Sequence, residues 1–169
     1  MKRLSYLFGL AVILLFGCQT VPLISAGMPV NKKMTVNGTT LSYVEQGQGV
    51  PVVFVHGAFS DLRAWEPQRE AVARSYRYVA YTQRSFGTDS WPESGAKYSE
   101  TIHAEDLVAF ILQLKAGPVY VVGRSYGANI AMRMALQHPE LVRALFVQEP
   151  AIAITAVTDA DSQAILKKE

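Results

Sequence analysis

The chain alternates short apolar runs with segments of helical periodicity. Residues 51–55 are continuously apolar, as expected for a strand that is buried on both faces. Leu107, Phe110, Ile111 and Leu114 are spaced at i, i+3, i+4 and i+7, which predicts one face of a helix. Further strands are predicted at 78–81, 119–122 and 145–147, and further helices at 65–74 and 128–138.

A hairpin pattern precedes this alternation. Residues 33–36 and 40–44 are strand-like and flank Asn37 and Gly38, a pair that readily adopts the positive φ angles of a tight turn. The strands and helices that then alternate imply a mostly parallel sheet with helices on both faces. The predicted fold class is therefore α/β.

The first 17 residues have the pattern of a secretory signal peptide. Lys2 and Arg3 precede a run over residues 4–16 that is almost wholly apolar. This run is shorter than the roughly 20 residues of a membrane-spanning helix. A buried N-terminal helix is the alternative, and it is disfavoured because the run is apolar on all sides and follows a basic pair. We therefore predict an exported protein.

The end of this segment, Leu15-Phe16-Gly17-Cys18, resembles the lipobox of bacterial lipoproteins. The resemblance implies that Cys18 is lipidated and that residues 18–30 form a tether. Gln19 is not the aspartate of inner-membrane retention, so the expected location is the bacterial cell envelope, on the periplasmic side of the outer membrane. The lipid anchor would then be the contact with the membrane. The alternative is an ordinary signal peptide with a coincidental cysteine.

Charge and cysteine content narrow the function classes. The 169 residues correspond in size to one domain, and they include 16 basic and 14 acidic side chains. Without Lys2 and Arg3 the balance is 14 to 14, and the sequence has no basic stripe, so a nucleic-acid partner is not expected. Cys18 is the only cysteine, which excludes an intramolecular disulfide.

The strongest chemical signal is Gly123-Arg124-Ser125-Tyr126-Gly127. The pattern G-x-S-x-G between a strand and a helix forms a sharp turn that exposes the serine hydroxyl, and the glycines relieve steric contact. We therefore predict Ser125 as a nucleophile. The amide of Tyr126, at the helix N-terminus, would donate to an oxyanion. The alternative is a tight turn whose serine has no catalytic role.

A second motif, His56-Gly57-Ala58-Phe59, follows the buried strand at 51–55. The amide of Ala58 is the candidate second oxyanion donor, and Gly57 permits close approach of the backbone. His56 is either the catalytic base or a ring that supports this loop, and its position favours support. Arg84 either contacts a carboxylate substrate or binds loop carbonyls, and the structural role is favoured.

These motifs share one position in the predicted fold. His56, Gln83, Ser125 and Glu149 each stand at or just after the carboxyl end of a predicted strand. The carboxyl ends of parallel strands form the ligand crevice of α/β proteins. We therefore expect the chemistry of the chain to converge on one edge of the sheet.

The chain resembles the α/β-hydrolase fold superfamily, in its serine-nucleophile branch. The resemblance is carried by the hairpin, His56-Gly57, residues 83–87, the turn at residues 123–127, which this superfamily calls the elbow, and residues 138–140. The resemblance covers residues 31–150 as the N-terminal part of an incomplete core, and it implies that 151–169 begin a cap segment. It implies hydrolysis of an ester-like bond in a small-molecule substrate. The intermediate would be an acyl ester of Ser125, with Ala58 and Tyr126 as the oxyanion hole and no metal or organic cofactor. A serine at the elbow argues against the epoxide and dehalogenase chemistries.

The remaining catalytic residues depart from the superfamily's pattern. Its usual acid and histidine would lie beyond Glu169. Glu149 is the candidate acid, one strand earlier than usual, and the base is unknown, because His103 and His138 are predicted to be surface or capping residues. We therefore expect a truncated hydrolase that lacks a complete triad. The alternative is a non-catalytic, lipid-anchored module or remnant.

Overall fold

The computed structural model describes residues 29–88 and 98–151. Several sequence predictions lie outside these ranges: the signal peptide at 1–17, Cys18, most of the tether at 18–30, and residues 152–169 of the candidate cap segment.

Six strands form one mixed sheet in the described part of the chain. They are β1 (Lys32–Val36), β2 (Thr39–Gln46), β3 (Pro51–Val55), β4 (Arg77–Tyr81), β5 (Val119–Arg124) and β6 (Val142–Gln148). Their order in space is β1-β2-β4-β3-β5-β6. The pairs β1–β2 and β2–β4 are antiparallel, whereas β3–β4, β3–β5 and β5–β6 are parallel. The predicted α/β class with a mostly parallel sheet is confirmed.

The first and third helices begin and end within one or two residues of the predicted 65–74 and 128–138. The helices are α1 (Glu66–Ala73), α2 (Glu100–Gln113) and α3 (Tyr126–Gln137), with 3-10 turns at Leu62–Trp65 and Pro139–Leu141. The Ser99 hydroxyl accepts a hydrogen bond from the Ile102 amide at 3.2 Å, which caps the start of α2. No helix within residues 29–88 and 98–151 is both long and apolar enough to cross a membrane.

The predicted hairpin is formed by β1 and β2. Asn37 and Gly38 both have positive φ angles, 43° and 72°, and Val36 pairs directly with Thr39. A primed type of tight turn needs this backbone conformation, because its twist matches the twist of the two strands. The turn thus fixes the register of the first strand pair.

The sheet is covered on both faces, as alternate residues of β3 show. Val53 and Val55 pack toward α2 and α3, in a cluster that includes Phe110. Val52 and Phe54 pack toward the opposite face, in a cluster with Trp65 next to α1. This two-sided burial agrees with the continuously apolar sequence of the strand.

β6 is the edge of the described sheet on the side of β5. It is longer than predicted because it pairs with β5 from Val142 to Gln148. Exposed and half-buried residues alternate along it, and the Phe146 side chain is 64% exposed. In this structure β6 is therefore an apolar edge strand, a type of element that promotes pairing with other chains.

Candidate active site

The turn between β5 and α3 holds Ser125 in a strained conformation. Its φ angle is 52° and its ψ angle is −124°, a combination that residues other than glycine rarely adopt. A Cβ atom on Gly123 would lie 2.6 Å from the carbonyl oxygen of Gly127, and one on Gly127 would lie 2.3 Å from that of His56. Both glycines of the motif are therefore required for the chain to make this turn.

The backbone of Ser125 is tied to the neighbouring strand. Its amide donates to the carbonyl oxygen of Gln148 at 2.9 Å, so this amide is not available to an oxyanion. The amide of Ala58 donates no hydrogen bond within the described residues. Tyr126 is the first residue of α3, where backbone amides have no partner within the helix. These two amides are thus without a partner among the described residues, and their role as oxyanion donors stays a prediction.

Ser125 lines a cleft of about 390 Å³ at the carboxyl ends of β3 and β5. Gly57 approaches the serine so closely that a Cβ atom on it would lie 3.2 Å from the Cβ of Ser125. Within the described part of the chain, no group hydrogen-bonds to the Ser125 hydroxyl. The other lining residues are His56, Ala58, Ser60, Ala64, Trp65, Gln68, Arg124 and Gln148.

Both ring nitrogens of His56 are hydrogen-bonded within the protein, so neither is free to act as a base. The ring is fully buried, and its Nδ1 donates to the carbonyl oxygen of Gly57 at 2.7 Å. Its Nε2 accepts from the amide of Gln83 at 3.0 Å. Since a carbonyl only accepts and an amide only donates, the ring is neutral and both nitrogens are occupied. Burial lowers the pKa of His56, which favours the same neutral form.

His103 is not a surface or capping residue, and that prediction was wrong. Its side chain is 1% exposed, and its Nδ1 lies 2.9 Å from the hydroxyl of Tyr126. The ring also meets Phe86 and Tyr98, and Tyr98 stacks on Tyr126. Burial lowers the pKa of His103 to about 4, so the ring is neutral at pH 7. His103 thus holds Tyr126, the residue that follows Ser125.

The spacing of apolar residues in α2 could have predicted the burial of His103. His103 stands four residues before Leu107, so it continues the apolar face formed by Leu107, Phe110, Ile111 and Leu114. The pairing with Tyr126 could not be found in this way, because it joins α2 to the start of α3 over 23 positions of sequence.

His138 has the predicted position at the end of α3. It is partly exposed, and its Nδ1 lies 3.0 Å from a carboxylate oxygen of Glu140. The sequence has three histidines, and all of them lie in the described ranges. None of the three hydrogen-bonds to Ser125.

Arg84 is structural, as favoured from the sequence, although its main partner is a carboxylate rather than a loop carbonyl. Its guanidinium donates to both oxygens of Asp106, at 2.7 Å and 2.8 Å, and to the carbonyl oxygen of Asn37 at 3.1 Å. The side chain of Asn37 donates to Asp106 as well, at 3.0 Å. Asp106 in turn raises the pKa of Arg84. This buried network joins the hairpin, the loop after β4 and α2.

Glu149, the candidate acid, follows β6 with a φ angle of 49° and is exposed. Its neighbour Gln148 lines the cleft, but Glu149 does not. No hydrogen bond or ion pair joins Glu149 to another described residue. Its role as an acid stays a prediction.

The described residues also bear on metal chemistry. Within residues 29–88 and 98–151, no group of three or more histidine, cysteine, aspartate or glutamate side chains is arranged to hold a metal ion.

Comparisons with known proteins agree with this architecture. The chain is 32% identical over 114 residues to an epoxide hydrolase of Caballeronia sordidicola, a match that covers 67% of this chain and 35% of that protein. It is 29% identical over 116 residues to a 2-(acetamidomethylene)succinate hydrolase of Mesorhizobium japonicum, covering 69% of this chain and 41% of that protein. The chain therefore spans well under half the length of these curated relatives.

Solved structures give the same result. The crystal structure of an epoxide hydrolase from Vigna radiata superposes with a TM-score of 0.67 and 32% identity, covering 70% of this chain and 39% of that one. A family model for the alpha/beta hydrolase fold matches residues 50–168. With the strand order and the strained turn at Ser125, this match shows that the chain belongs to the α/β-hydrolase family.

Proposed function

We propose that this chain carries the nucleophile and oxyanion hole of a serine hydrolase that acts on ester-like bonds. The observation that carries the proposal is the geometry of Ser125, which lines a cleft from a strained strand-to-helix turn with its hydroxyl free of hydrogen bonds to the described residues. Such a turn presents a serine to substrate at the end of the sheet.

In the proposed reaction, the Ser125 oxygen forms a bond to the carbonyl carbon while its proton passes to a base. The carbonyl oxygen becomes an oxyanion that the amides of Ala58 and Tyr126 stabilise. The alcohol then leaves with a proton, which gives an acyl ester of Ser125. Water hydrolyses this ester and regenerates the serine.

None of the three histidines of the chain is available to Ser125 as a base. The nitrogens of His56 are both occupied, His103 is bound to Tyr126, and His138 lies at the far end of α3 from Ser125. A further segment, or an added small base, would have to accept the proton of the serine. Without a base, a serine site retains only the catalysis that its oxyanion hole and binding provide.

Two relatives named above are epoxide hydrolases, yet we propose carbonyl chemistry for this chain. Its elbow has a serine at the central position, and a serine hydroxyl is a nucleophile suited to acyl transfer. The succinate-derived name of another relative, an acetamidomethylene succinate hydrolase, is compatible with attack at a carbonyl.

The test is active-site labelling with chemical rescue. The 169-residue chain is treated with a fluorophosphonate probe, with and without imidazole, and the labelled residue is located by mass spectrometry. We expect imidazole to replace the missing base and to increase labelling of Ser125. Ser125→Ala should remove the label, whereas Ser85→Ala, which changes a buried serine of the loop after β4, should retain it.

Equal labelling of the parent chain and Ser125→Ala would overturn the assignment of the nucleophile. Labelling of Ser125 that does not respond to imidazole would contradict the missing base. A chain in which Ser125 stays unlabelled under all conditions would support the alternative, a module that retains the fold without the chemistry.

We also propose that the protein is exported and anchored to a membrane through lipid on Cys18. The support is the signal-like segment at 1–17 and the lipobox-like sequence that ends at Cys18. In bacteria fed an alkyne-labelled fatty acid, the chain should incorporate the label and fractionate with membranes. Cys18→Ala should lose both properties, and retention of label in that variant would contradict the proposal.

A further inference from the structure

Arg124 brings an unpaired positive charge to the cleft. Its side chain is exposed and lines the cleft beside Ser125. Within the described residues its guanidinium makes no hydrogen bond or ion pair, and only Arg74 shares this property. Of the other arginines in these ranges, Arg133 forms an ion pair with Glu100 at 3.8 Å. The rest donate to carboxylates or to a carbonyl: Arg63, Arg69, Arg77, Arg84 and Arg143.

No other charged side chain of the described residues lines this cleft. Its polar side chains, Ser60, Gln68 and Gln148, are neutral, and His56 is held in its neutral form. The N-terminus of α3 adds a partial positive charge at the same end of the sheet. The cleft therefore favours an anion.

Nearby carboxylates do not cancel this charge. Asp61 follows the lining residue Ser60, and its carboxylate is bound by Arg63. Glu149 follows the lining residue Gln148, but it is exposed and forms no ion pair with Arg124. The guanidinium of Arg124 is thus free to bind a ligand in the cleft.

We propose that Arg124 is a specificity-determining residue that binds a carboxylate of the substrate, so that the site selects esters with an anionic acyl chain. This inference rests on the function proposed above and adds a substrate class to it. Arg124 immediately precedes the nucleophile, about 3.8 Å away between Cα atoms. One extended arginine side chain therefore sets the separation between the scissile carbonyl and the carboxylate. A guanidinium can bind that carboxylate through two parallel hydrogen bonds.

Binding can be measured without turnover. In the Ser125→Ala background, calorimetry compares monomethyl adipate, which has one carboxylate, with dimethyl adipate, which is neutral. We expect the anion to bind about tenfold more tightly, the usual size of a charge-assisted hydrogen bond in binding. Arg124→Gln should remove this preference, Arg124→Lys should retain part of it, and salt should weaken it.

Arg74→Gln is the matched control. It removes the same charge from an exposed, unpaired arginine at the C-terminal end of α1 and should leave the preference intact. Circular dichroism of each variant verifies the fold. Equal affinity for the two esters, or a preference that survives Arg124→Gln, would overturn the inference.

A kinetic measurement separates this inference from the proposed function. The rates of imidazole-supported acylation are compared for the 4-nitrophenyl monoester of adipate and for its neutral isostere, 4-nitrophenyl 6-methylheptanoate. The ratio of the two rates should fall about tenfold in Arg124→Gln. If Ser125 is never acylated but adipate still binds through Arg124, the proposed function fails and the anion site stands. If both esters acylate Ser125 equally, the inference alone fails.

Discussion

The loop after β4 and the loop after β5 lie at the same end of the sheet, yet, within the described part of the chain, the polar side chains of the first are hydrogen-bonded and those of the second are not. In the first, Arg84 binds Asp106 and Gln83 binds His56, so the side chains are fastened to the protein. In the second, the Ser125 hydroxyl and the Arg124 guanidinium have no partner among the described residues. Polar groups that are hydrogen-bonded within the protein hold the shape of a site, whereas polar groups without a partner are available to a ligand.

The largest expected effect comes from breaking the ion pair between Arg84 and Asp106, which holds the loop after β4. Asp106→Asn leaves the buried guanidinium of Arg84 without its charge partner, which should lower the free energy of unfolding by about 4 kcal/mol. Urea denaturation measures this loss. The double variant Arg84→Met/Asp106→Leu should lose less than either single charge removal, because no buried charge is left unpaired. A loss below about 1 kcal/mol in Asp106→Asn would show that the ion pair does not hold the loop.

The next largest effect is expected from substitutions that test whether the backbone of the loop after β5 is as constrained as the side chains of the loop after β4. In Gly127→Ala the new Cβ would lie 2.3 Å from the His56 carbonyl oxygen and 2.4 Å from that of Val55, so we expect a loss of about 3 kcal/mol. Gly57→Ala meets its nearest atom at 3.2 Å and should cost less. Thermal unfolding of both variants gives the comparison. Similar losses would mean that the turn can shift to accommodate a side chain.

The sequence indicates where these two loops lie but not how they differ. The apolar runs that predict β3, β4 and β5 place His56, Gln83 and Ser125 at strand ends, and hydrophobic burial alone is sufficient for that. The partner of Arg84 is 22 residues away on α2, and no local pattern selects Asp106 from the other acidic residues. Pairing of this kind depends on how α2 packs on the sheet.

The histidines teach the same lesson. The hydrogen bonds that His56 makes to Gly57 and Gln83 agree with its place directly after β3, from which the sequence favours a supporting role over a basic one. The prediction for His103 was wrong because a polar residue at the start of a helix need not face solvent. Its contact with Tyr126 depends on the packing of α2 against α3, which the sequence of either helix does not specify.

An intermediate effect concerns the pH dependence of stability and His103, which contacts Phe86 in the loop after β4 and Tyr126 after β5. His103 has a pKa of about 4 in the folded chain, below its ordinary value of 6.5, because it is buried. The unfolded chain therefore binds a proton first, and stability falls as pH is lowered from about 6.5 to 4. We expect His103 to contribute about 2 kcal/mol to this loss, less than the full shift because of solvent screening.

The measurement is urea denaturation at several pH values between 4 and 7. His103→Gln should flatten the pH dependence, since glutamine does not titrate. His138→Gln, which changes a half-exposed ring, is the matched control and should retain the parent slope. An unchanged slope in His103→Gln would contradict the account of a buried, neutral ring.

The smallest expected effect concerns the backbone strain at Ser125. Glycine adopts the φ angle of Ser125 without steric cost, so Ser125→Gly should raise the free energy of unfolding by about 1 kcal/mol. Ser125→Ala keeps the Cβ atom and should show no such gain. Both variants should lose fluorophosphonate labelling. A gain in stability from Ser125→Ala would mean that the hydroxyl, rather than the backbone, is the source of the strain.

The hydrogen bond from the Ser125 amide to the Gln148 carbonyl joins the turn at Ser125 to the last strand of the described sheet. One residue after that carbonyl, Glu149 turns the chain out of β6 with a positive φ angle. A displacement of the chain at Glu149 would therefore reach Ser125 through a single residue and a single hydrogen bond. A segment that packs against the end of β6 would, through this link, change the orientation of the Ser125 hydroxyl.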